Sequence, residues 1–318
     1  MRVLVVSNMK PDAGAPQRGS FVRDQVDGLR RAGVEVELIE FPPGRDQYPP
    51  TVRRLRRLLG GDDFDLVHAH YGLTGWCAAL AGARPLVVTF HGTDVRHPLV
   101  GALSRRLAGR VALAAAVSRE LFEPRGGRGG LRPRSGHSAV LPCGAALARF
   151  RAIPQAEARA DLGLDPDARY LLFPAAAARP EKRHDRAAEV ARLAGASLLT
   201  TGAIEPERMA LWLNAASAVL VTSDYEGFGL AAVEALACAR PVLSTPVGIA
   251  PLLLAGIDGC LVADFDAARW ADLARAHLDA GDPRVDGAAR AAWFGAESLA
   301  ERVAAAYREL LHRPVEVP

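Results

Sequence analysis

Lysine is nearly absent from this chain of 318 residues: 37 of its 39 basic residues are arginines, and the two lysines are Lys10 and Lys182. Cysteine is also scarce, with four residues and no C-x-x-C pair, so the sequence indicates neither a structural zinc site nor a disulfide framework. No apolar run approaches about 18 residues, and Met1–Val6 leads directly into a strand. We therefore expect no membrane span, no signal peptide and a reduced, cytoplasmic location.

Apolar residues make up 50% of the chain, which excludes a disordered or fibrous protein and is enough for two domains. Charge is divided unevenly between the halves. Residues 1–150 carry 22 Lys+Arg and 13 Asp+Glu, a net +9, whereas residues 151–318 carry 17 and 23, a net −6. This division predicts two domains with different partners. The basic half contains no aromatic-rich basic strand of the RNA-binding type, so we expect no nucleic-acid partner.

Short apolar strands alternate with amphipathic helices along the chain. Because the strands are continuously apolar, they are buried on both faces, which indicates parallel α/β sheets. Strands are expected at Val3–Val6, Val34–Ile39, Asp65–His68, Leu86–Phe90, Val111–Val117 and Ala139–Leu141, and then at Tyr170–Pro174, Ser197–Thr201, Ala218–Thr222, Pro241–Ser244 and Cys260–Val262. The pattern predicts two doubly wound, Rossmann-like domains, 1–146 and 147–295, with a ligand at the carboxyl ends of the strands, in the cleft between the domains.

Two segments interrupt this alternation. Pro124–Ser138 is rich in glycine and arginine, so we expect a mobile surface loop. Thr51–Gly60 predicts a helix with one apolar face and four arginines around it. These are Arg53, Arg54, Arg56 and Arg57. Two interpretations of this helix stay open: the solvated face of a packed helix, or a helix that binds an anionic membrane at about 1 kcal/mol per basic residue.

The segment Asp224–Ala239, DYEGFGLAAVEALACA, gives the clearest functional pattern. A strand ends before it, a turn with two glycines follows, and a helix begins near Leu230. Glycines let a backbone approach a ligand closely, and the free N–H groups of a helix start attract an anion. Glu226 and Glu234 flank this turn. Carboxylates do not bind phosphate but suit sugar or ribose hydroxyls, and an ordinary charged helix residue is the alternative for each.

A cationic segment, Arg179–Arg183 (RPEKR), follows another strand of the second series. It lies at the carboxyl end of Tyr170–Pro174, before a helix expected from Asp185. A departing nucleoside diphosphate carries about three negative charges, which fixed cations or a metal must neutralise. Arg179 and Lys182 could supply that charge without a metal. The alternative is a charged helix start that binds nothing.

Histidines end two strands of the first domain. His91 follows Leu86–Phe90 in VTFHGTD, and His68 and His70 end another strand in DLVHAHY. Histidines at strand ends raise a metal hypothesis, but no H-E-x-x-H or H-x-H…D pattern can be completed, so we expect no metal site. Contact with a sugar is the preferred interpretation for His91. For His68 and His70, ligand contact and a buried, satisfied histidine stay open.

The loop after the first strand, Ser7–Gly19, contains no G-x-G-x-x-G, which argues against a dinucleotide-dependent dehydrogenase. Gly19 and Ser20, at the start of the next helix, remain candidates for contact with a phosphate. Lys10 in the same loop is interpreted as an exposed lysine.

Together these motifs resemble those of retaining GT-B glycosyltransferases, family 4 in particular. The E-G-F-G-L…E pattern of Glu226–Glu234 carries the resemblance. Arg18–Val36, HGTD at 91–94 and the pair Arg179 and Lys182 follow in the order that the family has. RPEKRHD and HAHYG resemble the branch that builds teichuronic-acid and exopolysaccharide polymers.

The resemblance implies a fold and a reaction. The fold is α/β, of the GT-B type, with two Rossmann-like domains facing a cleft and a final helix, 296–318, packing back on the first domain. The reaction moves a sugar from a nucleoside-diphosphate sugar, UDP ahead of GDP, to a hydroxyl of a glycan, lipid-linked or small-molecule acceptor. It retains the anomeric configuration and uses no metal, cofactor or protein nucleophile: the acceptor attacks from the leaving-group side and the departing phosphate takes the proton.

Residue roles follow from the same resemblance. The catalytic set is Arg179, Lys182, Glu226 and His91. The two cations bind the diphosphate, Glu226 holds the hydroxyls of the donor sugar, and His91 contacts the transferring sugar from the opposite domain. The substrate-binding set is Gly19, Ser20, His70, Asp94, Ile204, Gly227, Phe228, Gly229, Leu230 and Glu234. In that set, Glu234 binds the ribose, Ile204 touches the base and Gly19 closes over the diphosphate.

Three features depart from the family's pattern. The interdomain stretch usually reads P-N-G-V-D, whereas Pro142–Ala146 reads P-C-G-A-A. Arg179 lacks the common G-R preamble, and the span from Lys182 to Glu226 is short, which indicates a trimmed second domain. These departures motivate a non-catalytic sugar-nucleotide-binding protein as an alternative. A sugar-nucleotide 2-epimerase of the same fold is a second alternative, which the EGFGL…E pattern does not favour.

Overall fold

The structure is a computed structural model that describes residues 1–124, 129–134 and 136–312. The chain divides into two compact units. The first contains residues 1–11 and 18–144 together with the C-terminal stretch from Ala296, and the second contains residues 12–17 and 145–295. The expected boundary after residue 146 lies close to this division, whereas the grouping of residues 12–17 with the second unit has no signal in the sequence.

The first unit is built from six strands and six helices among the described residues. The strands are β1 Arg2–Ser7, β2 Glu35–Glu40, β3 Leu66–His70, β4 Leu86–Phe90, β5 Leu113–Ala116 and β6 Ser138–Val140. The helices are α1 Ser20–Arg31, α2 Tyr48–Leu59, α3 Gly72–Ala81, α4 Thr93–Arg96, α5 Pro98–Ala108 and the last helix of the chain, α13 Ala296–His312.

The second unit continues the alternation of strands and helices. Its strands are β7 Tyr170–Phe173, β8 Ser197–Thr200, β9 Ala218–Val221, β10 Val242–Ser244 and β11 Leu261–Val262. Its helices are α6 Gln155–Leu162, α7 His184–Ala194, α8 Met209–Ala215, α9 Leu230–Ala237, α10 Ala250–Leu253, α11 Ala267–Asp279 and α12 Ala288–Ala292.

Both sheets are parallel throughout. The first has the strand order β2-β1-β3-β4-β5-β6 and the second β11-β10-β9-β7-β8. In the first sheet Ser7 is paired with His70, and His70 with Thr89, so the carboxyl ends of β1, β3 and β4 lie at one edge. The loops that follow these strands therefore meet, which is the arrangement that places ligand sites in doubly wound sheets.

Apolar strands and the inner faces of helices fill each core. In the first unit α13 packs on α1, where Gly28 leaves no room for a side chain: an added Cβ would lie 2.7 Å from the Cβ of Ala300. Arg31 and Glu297 pair across the same two helices at 2.8 Å. In the second unit Trp270 of α11 is fully buried against α7 and the sheet. Among the described residues, none of the helices is long and apolar enough to cross a bilayer.

The strands and helices lie where the sequence pattern predicts them, with differences at their ends. The strand expected over Val111–Val117 is shorter, and a 3₁₀ turn, Pro206–Arg208, precedes α8. The helix expected at Thr51 begins at Tyr48, because prolines in the first turn of a helix cost no hydrogen bond. In the expected loop Pro124–Ser138, residues 125–128 and 135 lie outside the described residues, and Ser138 belongs to β6.

Candidate active site

A partly buried ion pair joins the two motifs of the second unit. Lys182 ends a single 3₁₀ turn, Pro180–Lys182, in the connection from β7 to α7. Its Nζ lies 2.5 Å from both carboxylate oxygens of Glu226, which belongs to the turn before α9. The two side chains are 15% and 12% exposed. Two helices and two strands, α7, β8, α8 and β9, separate these residues in the sequence, and the structure brings them together.

Hydroxyl groups at the end of β9 hold this ion pair in place. Ser223 Oγ donates to Glu226 Oε1 at 2.7 Å. Thr222 Oγ1 donates to the carbonyls of Lys182 and Arg183, at 3.1 and 2.9 Å. Both residues are almost fully buried. The position of Glu226 is therefore fixed by a neighbour in sequence and a cation from another loop.

Asp224 fastens the two loops to each other on the outer side. Its carboxylate pairs with Arg183 at 3.3 Å and with Arg186 at 2.8 Å. Its backbone N–H donates to the carbonyl of Glu181 at 3.0 Å. Because these contacts link the segment around Lys182 to the segment around Glu226, the ion pair lies within a preorganised frame.

The glycine turn continues into α9 as the sequence predicts. Gly229 has φ +99°, a conformation that side chains disfavour, and α9 begins at the next residue. The turn packs closely on a neighbouring loop: an added Cβ at Gly248 would lie 2.3 Å from the carbonyl oxygen of Phe228. The N–H of Ile249 donates to that same oxygen at 2.8 Å. The first turn of α9 is thereby held with its N–H groups beside the ion pair.

A cavity of about 20 Å³ lies between these groups, enough for one water-sized group. Lys182, Glu226 and Ser223 line its polar side, and Gly229 and Ala231 line the side formed by the start of α9. A cation and the amino end of a helix therefore face the same small space, which is an arrangement that suits an anion.

Arg179, Ile204 and Glu234 are three further predicted site residues of the second unit. Arg179 is half exposed and pairs with Glu181 at 2.6 Å, so its guanidinium points at a carboxylate. Ile204 is partly buried in the loop between β8 and the turn Pro206–Arg208. Glu234 is partly buried in the second turn of α9.

Within the glycine turn, Gly227 and Leu230 are both partly buried. The ring of Phe228 is buried, 5.8 Å from the ring of Phe294. Phe228 can thus offer a ligand its backbone alone, and its side chain anchors the turn.

In the first unit, Asp94 holds the loop that carries His91. It lies in α4, directly after β4, and is fully buried. Its carboxylate accepts from three backbone N–H groups, those of Gly72 at 2.9 Å, His91 at 3.0 Å and Gly92 at 2.9 Å. Both oxygens are thus engaged inside the protein. Asp94 therefore positions the backbone of His91, and its contact with substrate stays a prediction.

The three histidines form a chain from the core towards the surface. His68 is fully buried between Tyr307 Oη, 2.5 Å from its Nδ1, and Thr89 Oγ1, 2.7 Å from its Nε2. It is a satisfied core histidine. His70 is also fully buried, and its Nδ1 lies 3.0 Å from Nε2 of the partly exposed His91. His70 thus lies behind His91 and supports that ring, and its contact with substrate stays a prediction.

Burial keeps these histidines neutral. It lowers the pKa of His68 to about 3, that of His91 to about 4, and that of His70 well below its ordinary value, with the neighbouring imidazoles adding to the effect for His68 and His70. Burial raises the pKa of Asp94 to about 6, against the opposing effect of the backbone hydrogen bonds it accepts. At neutral pH the three imidazoles are therefore uncharged, and the buried carboxylate of Asp94, which holds the backbone of His91, is ionised.

Gly19 and Ser20 open α1 close to His91. Gly19 has φ +70°, and a Cβ there would lie 2.4 Å from the carbonyl oxygen of Met9, so the position requires glycine. The ring of Phe21, next to Ser20, lies 5.1 Å from the ring of His91. The start of α1 and the histidine chain thus share one edge of the first sheet.

Three relevant residues have no clear signal in the sequence. Ser223 precedes the glutamate motif by only a few residues but belongs to no recognised pattern. Tyr307 reaches His68 from α13, at the other end of the chain. Cys143 lies with His70 and His91, and one ligand atom from each falls within 4.8 Å of the others. These three residues could hold a metal ion, which no spacing in the sequence reveals, and the expectation of no metal site stays a prediction.

The neutral histidines predict a loss of stability in acid. Their unfolded pKa is near 6.5, so between about pH 6.5 and 4 the unfolded chain binds more protons and the free energy of unfolding falls as pH is lowered. Asp94, with its raised pKa, acts oppositely between about pH 4 and 6, but one carboxyl opposes three imidazoles. Denaturant unfolding measured from pH 7 to 4.5 should show this fall.

His91→Gln should reduce the slope of that fall by up to about 1.4 kcal/mol per pH unit. The exposed His312 at the end of α13 provides the matched control, and His312→Gln should leave the slope unchanged. A free energy of unfolding that stays constant over this pH range would contradict the assignment of neutral, buried histidines.

Comparison with known proteins agrees with this architecture. Residues 3–149 match the family described as Glycosyltransferase Family 4, and residues 151–279 match the family described as Glycosyl transferases group 1. The chain is 31% identical to D-inositol 3-phosphate glycosyltransferase of Thermobispora bispora, over 95% of this chain and 83% of that protein. It is 32% identical to D-inositol 3-phosphate glycosyltransferase 1 of Catenulispora acidiphila, over 78% and 73%.

Solved structures show the fold. Sucrose-phosphate synthase from Thermosynechococcus elongatus superposes with a TM-score of 0.74 at 19% identity, covering 97% of this chain and 98% of that one. Anabaena HepE in complex with UDP and glucose gives 0.69 at 16%, covering 97% and 100%. The predicted fold class is confirmed as α/β with two parallel-sheet Rossmann-like domains, as in GT-B glycosyltransferases. The chain belongs to the family 4 glycosyltransferases, also described as group 1.

Proposed function

We propose that this glycosyltransferase moves a sugar from a nucleoside-diphosphate sugar, UDP ahead of GDP, to a hydroxyl acceptor with retention of configuration and without a metal or cofactor. The observation that carries the proposal is the Lys182–Glu226 ion pair beside the amino end of α9. A fixed cation and helix N–H groups stabilise a leaving diphosphate, and a carboxylate in the same place binds sugar hydroxyls.

Lys182 can serve both the carboxylate and a phosphate. An ammonium group has three N–H donors, and Glu226 occupies two directions of Nζ. One donor is thus left for a diphosphate oxygen, next to the first turn of α9. Arg179, half exposed and paired with Glu181, can turn towards a ligand because exposed ion pairs are worth only about 1 kcal/mol or less.

The hydrogen bonds of Glu226 argue against its use as a nucleophile. Both of its oxygens lie 2.5 Å from Lys182 Nζ, and Oε1 also accepts from Ser223. A carboxylate neutralised in this way is a weak nucleophile but a good acceptor for hydroxyl donors. This supports a reaction in which the acceptor hydroxyl attacks from the leaving-group side and the departing phosphate takes the proton. The contact of His91 with the transferring sugar stays a prediction of the resemblance.

The choice of substrates to test follows from the relatives. HepE is described in complex with UDP-glucose, so that compound is the first donor to test. The relatives from Thermobispora and Catenulispora are named for D-inositol 3-phosphate, so it is the first acceptor to test. The excess of arginine in residues 1–150 suits a phosphorylated acceptor. Glycan and lipid-linked acceptors, including those of the teichuronic-acid branch, stay predictions.

Loss of Lys182 should abolish most turnover. We expect Lys182→Met and Glu226→Gln each to lower kcat/KM for a labelled donor by about 100- to 1000-fold, since each removes a charge that acts on the leaving group or the sugar. The measurement is transfer of the labelled sugar to the acceptor, with the anomeric configuration of the product read by NMR.

Arg192→Met is the matched control, because Arg192 is an exposed cation of α7 away from the cavity. It should keep the turnover of the parent chain. Unchanged turnover in Lys182→Met would contradict the assigned mechanism. An epimerised donor would favour the 2-epimerase. Donor that binds but does not react would favour a non-catalytic binding protein.

We further propose that α2 binds an anionic membrane surface. Leu55 is buried under the helix while Arg53, Arg54, Arg56 and Arg57 are exposed. Arg56 donates to the carbonyl of Leu80, a leucine of α3 that is 61% exposed. Arginines next to an exposed apolar side chain are the combination that an interfacial surface uses.

Charge reversal tests this membrane contact. Replacing the four arginines of α2 by glutamate should weaken co-sedimentation with phosphatidylglycerol vesicles by at least about 100-fold, since each basic residue contributes about 1 kcal/mol. Reversal of four exposed arginines elsewhere should have little effect. These are Arg192, Arg208, Arg269 and Arg302. Equal loss in both variants, or loss in neither, would show that α2 has no special role.

A further inference from the structure

Three residues that follow different strands converge at one edge of the first sheet. His70 ends β3, His91 follows β4, and Cys143 comes shortly after β6. One ligand atom from each lies within 4.8 Å of the others. We propose that His70, His91 and Cys143 form a binding site for a thiophilic divalent metal ion, Zn²⁺ in the first place, which competes with the use of His91 in sugar transfer.

The two imidazoles are already close to metal-binding geometry. Nδ1 of His70 and Nε2 of His91 are 3.0 Å apart, and the rings are stacked with 5.2 Å between centroids. Two nitrogen ligands of a tetrahedral Zn²⁺, each at about 2.0–2.1 Å, are separated by about 3.3 Å. A small opening of the His70–His91 contact therefore accommodates an ion.

The thiol supplies the third ligand and makes the site selective for thiophilic ions such as Zn²⁺. A sulfur and a nitrogen on tetrahedral Zn²⁺ lie about 3.6 Å apart, so a Cys143 Sγ within 4.8 Å needs a modest side-chain rotation. Binding forms a zinc–sulfur bond and releases the thiol proton to solvent. Cys143 is a free cysteine, 3% exposed.

The surroundings favour such a ligand set. Asp94 fixes the backbone at His91, which holds this ligand in position. His91 is partly exposed, so the side of the cluster it forms gives an ion a route in and leaves a fourth position for water.

The proposed site depends on the thiol of Cys143. An amide cannot replace a thiolate as a ligand for Zn²⁺, so replacing Cys143 by asparagine removes one ligand. The inhibitory consequence rests on the proposed function of His91, whereas binding of the ion does not.

Metal binding is tested directly on the full chain. Titration with Zn²⁺ in competition with a chromogenic chelator should show one equivalent bound, and Co²⁺ should give the absorption band of thiolate-to-metal charge transfer. Cys143→Ser and Cys143→Asn should weaken Zn²⁺ binding by at least about 100-fold and remove the cobalt band. Cys77→Ser is the matched control, since Cys77 is also buried in the first unit and contacts the carbonyl of Tyr48.

Binding of Zn²⁺ and inhibition of sugar transfer are tested separately. The metal site is overturned if the parent chain binds no stoichiometric ion, or if Cys143→Asn binds Zn²⁺ with equal affinity. If the variants fold poorly, the cobalt spectrum of the parent chain alone decides whether a thiolate binds the metal. If the ion binds as expected, Zn²⁺ should inhibit transfer by the parent chain, with recovery on adding chelator, and should inhibit Cys143→Asn far less. A chain that binds zinc but transfers no sugar would refute the proposed function and leave the metal site intact.

Discussion

The candidate donor site depends on one partly buried ion pair, Lys182 with Glu226. A lysine that is 15% exposed is unfavourable unless its charge is compensated, and the bidentate contact with Glu226 provides that compensation. Removing either partner leaves the other charge unpaired in a largely enclosed place, which is unfavourable. Ser223, Thr222 and the Asp224 contacts then serve to hold the pair rigid, so a ligand meets a cation and a carboxylate already in place.

In the first unit, polar histidines are packed at the carboxyl ends of apolar strands. His68 is satisfied by Tyr307 and Thr89, and its ring lies 4.4 Å from that of His70, which supports His91. Because all three are neutral, they can be buried together without charge repulsion. The same convergence places the Cys143 thiol beside two imidazoles. One local arrangement therefore accounts for the position of His91, for the predicted acid sensitivity and for the proposed metal site.

Much of this architecture could be predicted from the sequence, because parallel strands and glycine turns leave local patterns. The turn before α9 and the cationic segment before α7 are both contiguous motifs, and they lie where predicted. Contacts between distant segments could not be predicted. The burial of Asp94 and His70, the contact of Tyr307 with His68 and the approach of Cys143 depend on how strands and the last helix pack. Side-chain direction is a tertiary property, so a motif such as HGTD cannot show which of its polar groups faces solvent.

In the proposed reaction the two members of the ion pair have separate roles: Lys182 binds the diphosphate and Glu226 binds the donor sugar. Calorimetric titration of UDP and UDP-glucose into the parent chain and Glu226→Gln tests these roles most directly. We predict that Glu226→Gln keeps its affinity for UDP within about threefold but binds UDP-glucose at least about tenfold more weakly than the parent chain, a difference of about 1.4 kcal/mol. Equal affinities of both chains for UDP-glucose, or a parallel loss for UDP and UDP-glucose, would contradict the account.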